Sequence, residues 1–110
     1  MGRYGLIVAR LKPGAEDAIV KAFAESDKTE LPALGRLKHR SIFVMGDLYL
    51  HLMETDGEFE ECVAAVRDHP LFKEVSVAMA PNVEAYDPAN WKSPRDSFAR
   101  EIYAYDSESG

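Results

Sequence analysis

The chain has 110 residues, 46% hydrophobic and 29% charged, with 13 basic against 19 acidic residues and a net charge of −6. This is the make-up of one soluble globular domain with one core, and its acidic balance disfavours phosphate backbones and anionic membranes, so neither a nucleic acid nor a membrane is an expected partner. The single cysteine, Cys62, excludes an intramolecular disulfide and a multi-cysteine metal site, and with no signal peptide or long apolar run in view a cytoplasmic location is expected.

Residues 3–11 read as a first strand, buried in its middle and stopped by Pro13-Gly14. From about Ala15, the residues Ala18, Ile19, Ala22 and Phe23 recur at helical spacing while Glu16, Asp17, Lys21 and Glu25 face water. That helix is predicted to end near Ser26-Asp27. Asp27-Lys28-Thr29-Glu30 has capping-box spacing for a short second turn of helix, closed by Gly35. Ile42-Phe43-Val44 and Leu48 to Met53 are predicted as two strands folded on Met45-Gly46. Thr55-Asp56-Gly57-Glu58 is another capping-box pattern, and Phe59, Cys62, Val63 and Val66 form one buried stripe behind it. Asp68-His69-Pro70 breaks that helix and starts the next, whose stripe is Leu71, Val75, Ala78 and Met79 and which Pro81 kinks or ends. Asp87 to Asp96 reads as a loop, and Ser97 to Tyr105 alternates as a last strand. Residues 1–106 then form a single domain and 107–110 a polar tail.

Strand, helix, strand, strand, helix, strand is the order of an α+β, ferredoxin-like split βαβ unit, a four-stranded antiparallel sheet with helices on one side. Alternation along the second hairpin strand puts Leu48, Leu50 and Leu52 on one face, too apolar to leave wet. A homodimer packed sheet against sheet, as in a dimeric α+β barrel, is the predicted remedy. The ligand cavity then lies between the sheet and the helices of each chain.

The other face of the same strand carries Tyr49, His51 and Met53. A two-residue turn at Met45-Gly46 sets Val44 against Asp47 and places Arg40 directly opposite His51, with Cβ atoms roughly 5 Å apart. A permanent cation then sits beside the one side chain that titrates near neutrality. A one-residue change in turn length puts Ser41 opposite His51 instead. Each of these residues also has a purely structural explanation. His51 can be a hydrogen-bonded core histidine, Arg40 half of a cross-strand ion pair, and Asp27 a helix cap contributing about 1 kcal/mol. Ser26 is a helix-end residue, or at most a hydrogen bond to substrate. His69 is explained by its helix junction, and Cys62 by its core stripe. His39 points away from His51, so no metal site is expected. Trp91, alone in its loop, covers the cavity mouth or plugs a gap.

Three blocks resemble one family, the small aromatic polyketide cyclases typified by tetracenomycin cyclase. They are Phe23-Ala24-Glu25-Ser26-Asp27-Lys28-Thr29-Glu30-Leu31-Pro32, Asp47-Leu48-Tyr49-Leu50-His51-Leu52 and His69-Pro70-Leu71-Phe72, in register over nearly the whole chain. Asp87-Pro88, Trp91 and Ser93-Pro94 are more similar to members from spore-pigment and related pathways. The resemblance implies the dimeric α+β barrel and a cofactor-free intramolecular aldol condensation and dehydration, closing a ring on an intermediate of a type II polyketide synthase. It further implies transient contact with components of that synthase. Carried over by position, the family's polar cavity residues match Asp27, Arg40 and His51. Tetracenomycin-type members carry a second histidine just before the aspartate, where this chain has Ser26, so a mechanism with two histidines is excluded.

The reading that results is a polyketide cyclase with His51, Arg40 and Asp27 as catalytic residues and Ser26, Tyr49, Met53 and Trp91 as substrate-binding residues. No cofactor and no metal are expected, and the partners are an aromatic polyketide intermediate and a second copy of the chain. The alternatives are a cofactor-independent, anthrone-type monooxygenase of the same fold and a non-enzymatic dimeric binding module.

Overall fold

In the computed structural model, which describes residues 2–92 and 94–107, the chain runs through β1 (Tyr4–Leu11), α1 (Glu16–Ser26), α2 (Leu31–Leu34), β2 (Leu37–Met45), β3 (Leu48–Thr55), α3 (Phe59–Val66), α4 (Pro70–Met79) and β4 (Val83–Ala85). Single turns of 3-10 helix follow at Pro88–Asn90 and Pro94–Ser97. The strands pair antiparallel in the order β2-β3-β1-β4. This is the ferredoxin-like α+β sheet that the element order predicts. The readings that fall on Ser93 and on residues 108–110 lie outside the described residues.

Apolar periodicity turns into packing on one side of the sheet. Ile19 of α1 and Met79 of α4 meet Ala9 of β1 and Tyr49 of β3 in the main core. The α3 stripe closes a second layer, with Phe59, Cys62 and Val66 all buried. Its Phe59 ring lies against Gly5 of β1, where any Cβ would collide with the ring, so the strand needs glycine at that point. The caps differ in detail from the predicted boxes. Glu58, not Thr55, caps α3 by accepting from the Glu61 N–H. Thr29 holds the start of α2, its hydroxyl accepting from the Leu31 N–H, so the Asp27 carboxylate is not spent on that helix. His69 is the cap of α4, its Nδ1 accepting from the Leu71 N–H at 3.0 Å, which is the structural role its junction predicts.

The β2–β3 turn corrects the predicted register. The two turn residues are Gly46 and Asp47, with Met45 facing Leu48. Gly46 has φ +62, the left-handed value that a type II′ hairpin requires at its first position. Ile42 therefore faces His51, and Arg40 faces Met53. The predicted pairing is displaced by two residues. A shift of two keeps every side chain on its face, so Arg40 and His51 still share the helix-facing side as diagonal neighbours.

The fourth strand is the larger correction. It is Val83–Ala85, directly after α4, and it pairs with Ala9–Leu11 of β1. Ser97 to Tyr105 is not a strand. Among the described residues its backbone pairing with β1 is an Ile7–Phe98 bridge and a bond from the Ala99 N–H to the Leu6 carbonyl. Phe98 packs edge-on against Phe59, while Ile102, Tyr103 and Tyr105 stand 77–84% exposed. The alternation predicted there has no second neighbour to pack on.

Candidate active site

The site is built where the C-terminal end of α1 passes over β2 and β3. Phe23, one helical turn before Asp27 and hence on the same face of the helix, lays its ring under both polar strand residues. Its centroid is 4.9 Å from that of His51, edge-on, and 4.6 Å from the Arg40 guanidinium carbon. Sequence reading put Phe23 on the core stripe and assigned it nothing further. Its spacing to Asp27 was the available signal.

An unbroken line of hydrogen bonds runs from the interior to the surface. The Tyr49 hydroxyl lies 2.9 Å from His51 Nδ1, and His51 Nε2 lies 2.9 Å from Arg40 Nη1. Arg40 then grips Asp27 with two parallel bonds, Nε to Oδ2 at 3.1 Å and Nη2 to Oδ1 at 2.8 Å. Exposure rises along the line. Tyr49 and His51 are each 3% exposed, and the Arg40 and Asp27 side chains 14% and 38%. The planar guanidinium can make this fork and a third bond at once; an ammonium group could not.

The chemistry of the donors decides where the imidazole proton sits. A guanidinium has only N–H donors, so His51 Nε2 must accept. The single proton of the neutral ring is therefore on Nδ1 and donates to the Tyr49 oxygen. Burial, and second the Arg40 charge, push the His51 pKa down from 6.5 to about 3, so the ring is neutral at ordinary pH. Burial also pushes the Tyr49 phenol well above its usual range, partly offset by Arg40. Of the five N–H groups of a guanidinium, three of Arg40 are engaged by Asp27 and His51 among the described residues. One on each terminal nitrogen is left for a ligand oxygen. The arrangement can hold an anion at Arg40 and offers one lone pair, Nε2, as a base.

Asp27, Arg40 and His51 thus come together, with Arg40 diagonal to His51 and not directly opposite it. Tyr49 joins them, but from behind, as a buried partner of His51 and not as a surface that meets solvent. Met53 stands directly across the strand pair from Arg40, half-buried. Ser26 borders a groove of about 280 Å³ between α1 and α4, together with Ala22, Thr29, Leu71 and Val75. Trp91 is tied into the segment after β4, its indole N–H donating to Ser97 Oγ at 3.0 Å. His39 bonds Ser41 on β2 and takes no part in the line. No helix among the described residues is long and apolar enough to cross a membrane.

Comparison with known proteins agrees with this fold. Residues 3–106 match the family model for polyketide synthesis cyclases. An uncharacterized protein of Streptomyces coelicolor is 47% identical over 104 residues, 94% of each chain. Polyketide synthase CurG of Streptomyces cyaneus is 36% identical over 96% of this chain and 98% of its own. The solved structure of tetracenomycin F2 cyclase from Streptomyces glaucescens, a type II polyketide cyclase, superposes with a TM-score of 0.86 at 35% identity, covering 94% of this chain and 97% of that one. On a match that spans almost its whole length, the chain belongs to the polyketide synthesis cyclase family.

Proposed function

We propose that the protein closes a ring on an aromatic polyketide intermediate of a type II synthase by intramolecular aldol condensation and dehydration, without a cofactor. The observation that carries the reading is the line His51–Arg40–Asp27, in which one guanidinium bridges a neutral imidazole and a carboxylate. A methylene between two carbonyls is already acidic, so a modest base suffices. A substrate carbonyl oxygen that draws the Arg40 Nη1 N–H to itself releases the Nε2 lone pair in the same motion. His51 Nε2 takes the α-proton, and Arg40 holds the enolate oxygen. Negative charge growing on the enolate offsets the Arg40 charge, and this raises the proton affinity of His51 when it is needed. The enolate carbon bonds to a ketone carbon of the same chain, and the resulting alkoxide takes the proton back from the imidazolium. A second α-proton then leaves to His51, and the hydroxyl departs with a proton as water while the ring becomes aromatic. Asp27 keeps Arg40 aimed, and apolar walls keep bulk water from directing other closures. Ser26, Met53 and Trp91 are the proposed substrate contacts.

We also propose a two-fold dimer, with the leucine face of the sheet against its copy. Leu48, Leu50 and Leu52 are only half-buried in the single chain, and Phe43 beside them is 55% exposed.

A second reading has its own support. His51 at 3% exposure is as buried as a purely structural histidine, which suits a dimeric binding module. Incubation with a type II synthase intermediate separates the readings, with products followed by mass and ultraviolet spectrum and oxygen by electrode. Loss of water without oxygen uptake is the expected result. Oxygen uptake with quinone formation overturns it in favour of a monooxygenase. Binding without turnover overturns it in favour of the module.

A further inference from the structure

Tyr49 carries a polar group that ring closure, as described above, does not use. Its side chain lies in the main core with Ala9, Ala15, Ile19 and Met79, one of the least polar places in the molecule. Burying a hydroxyl there costs free energy unless it is bonded. Its bond to His51 Nδ1 at 2.9 Å is that compensation. A phenylalanine would fill the same volume with no such cost, so packing alone gives no reason for the hydroxyl.

We propose that Tyr49 is a positioning residue for ring closure: its hydroxyl accepts the Nδ1 proton of His51 in both the neutral and the protonated ring, leaving Nε2 as the only nitrogen that exchanges a proton with substrate. The proposal rests on the reading of His51 as the acid–base group and adds the partner that aims it. The geometry is specific. The two bonds of His51 leave from opposite edges of the ring, to β2 on one side and along β3 on the other. Once substrate draws Arg40 away from Nε2, Tyr49 is the hydrogen bond that remains on the ring. Phe23 of α1 packs against the ring without donating or accepting, and Ile7 of β1 is its cross-strand neighbour. Arg40 on β2, with Asp27 beyond it, supplies the charges that face it.

The identity of the partner matters as well as its place. A carboxylate behind the imidazole would pair with the imidazolium and hold the proton there. A buried phenol, pushed further from ionising by its surroundings, stays neutral. It orients the ring and lets the proton return to the alkoxide. The ring has to give the proton back within each turnover, and a neutral acceptor suits that.

The test combines a resonance and a rate. In the substrate-free, isotope-labelled protein, nitrogen-detected spectra of His51 should show the proton on Nδ1 and an unprotonated Nε2 across the neutral range. The Nδ1 proton should be shifted downfield and slow to exchange. In Tyr49→Phe that proton should move upfield and exchange faster, and kcat should fall roughly tenfold or more, with KM within about twofold of the parent. A proton on Nε2 in the parent overturns the proposal without any variant, so a Tyr49→Phe chain that fails to fold does not shelter it. Parent-like kcat in a folded Tyr49→Phe also overturns it. If the parent itself shows no turnover on synthase intermediates while the Nδ1 signal is as described, the cyclase reading fails and the positioning role falls with it. The hydrogen bond itself would stand.

Discussion

The two faces of β3 reverse the usual assignment of polar and apolar residues. The face that carries an imidazole and a phenol is buried, with Tyr49 and His51 at 3% exposure. The face that carries three leucines is only half-buried. Helices cover the first face, and among the described residues no helix covers the second. Polar groups are tolerated in the core only because each one is bonded: phenol to imidazole, imidazole to guanidinium, guanidinium to carboxylate. The leucine face has no such internal solution. The strand therefore asks two different things of its surroundings: a complete hydrogen-bond line on one side, and a second apolar surface on the other.

The leucine side offers the most drastic break. Leu50→Asp should weaken the dimer severely or make the protein insoluble, because an unpaired carboxylate would be buried at the interface, at a cost of about 3–5 kcal/mol. Sedimentation of variant and parent at matched concentration reads this out. A folded, monomeric variant beside an equally monomeric parent would remove the dimer from the argument. The polar side comes next. His51→Ala should lose roughly 10²–10⁴-fold in kcat while keeping the dimer. Ser26 leaves no second imidazole beside Asp27 to rescue it. A rate within about twofold of the parent over several pH values would mean that His51 is not the base and that the protein works by positioning its substrate alone.

The contrast between the faces was legible because strand periodicity is two. Leu48, Leu50 and Leu52 could be set against Tyr49, His51 and Met53 without knowing the register. For the same reason the Arg40–His51 contact survived a turn misplaced by one residue on each arm. The turn was misread because Met45 and Gly46 look like a turn pair, whereas the left-handed glycine takes the first turn position and Asp47 completes it. Two things were not legible. One was that Asp27 reaches Arg40, since that depends on where the end of α1 lies over the sheet; only family resemblance suggested it. The other was β4. Val83–Ala85 is three residues long, too short for alternation to register. Ser97 to Tyr105 alternates well yet, among the described residues, pairs with β1 just at Leu6 and Ile7, because a pattern states what a strand could do and not whether an edge is waiting for it.

Arg40→Lys is a milder break in the same line. The lysine keeps the charge and loses both the fork on Asp27 and the bond to Nε2. kcat should fall by roughly 10–100-fold, with the fold unchanged. Steady-state kinetics on a protein of parent-like circular dichroism decides it, and parent-like kcat would show that a point charge is enough to hold the enolate.

The smallest effect is thermodynamic and needs no substrate. His51 is held at a pKa of about 3 in the folded protein, against 6.5 for a free imidazole. Between those values the unfolded chain binds a proton at this position and the folded chain does not. Stability therefore rises with pH across the window. It is fully present above 6.5 and is lost as pH falls toward 3, because the acid has to force a charge into a core that already faces the Arg40 cation. Across one pH unit near pH 5.5 this single group should contribute on the order of 1 kcal/mol. His51→Gln removes the titration. Its stability measured by urea unfolding, at the same protomer concentration as the parent, should show a correspondingly shallower decline between pH 6 and 5. Equal slopes in parent and variant would mean that His51 takes up its proton in the folded state as readily as in the unfolded one. Neither burial nor the Arg40 charge would then be holding the imidazole neutral.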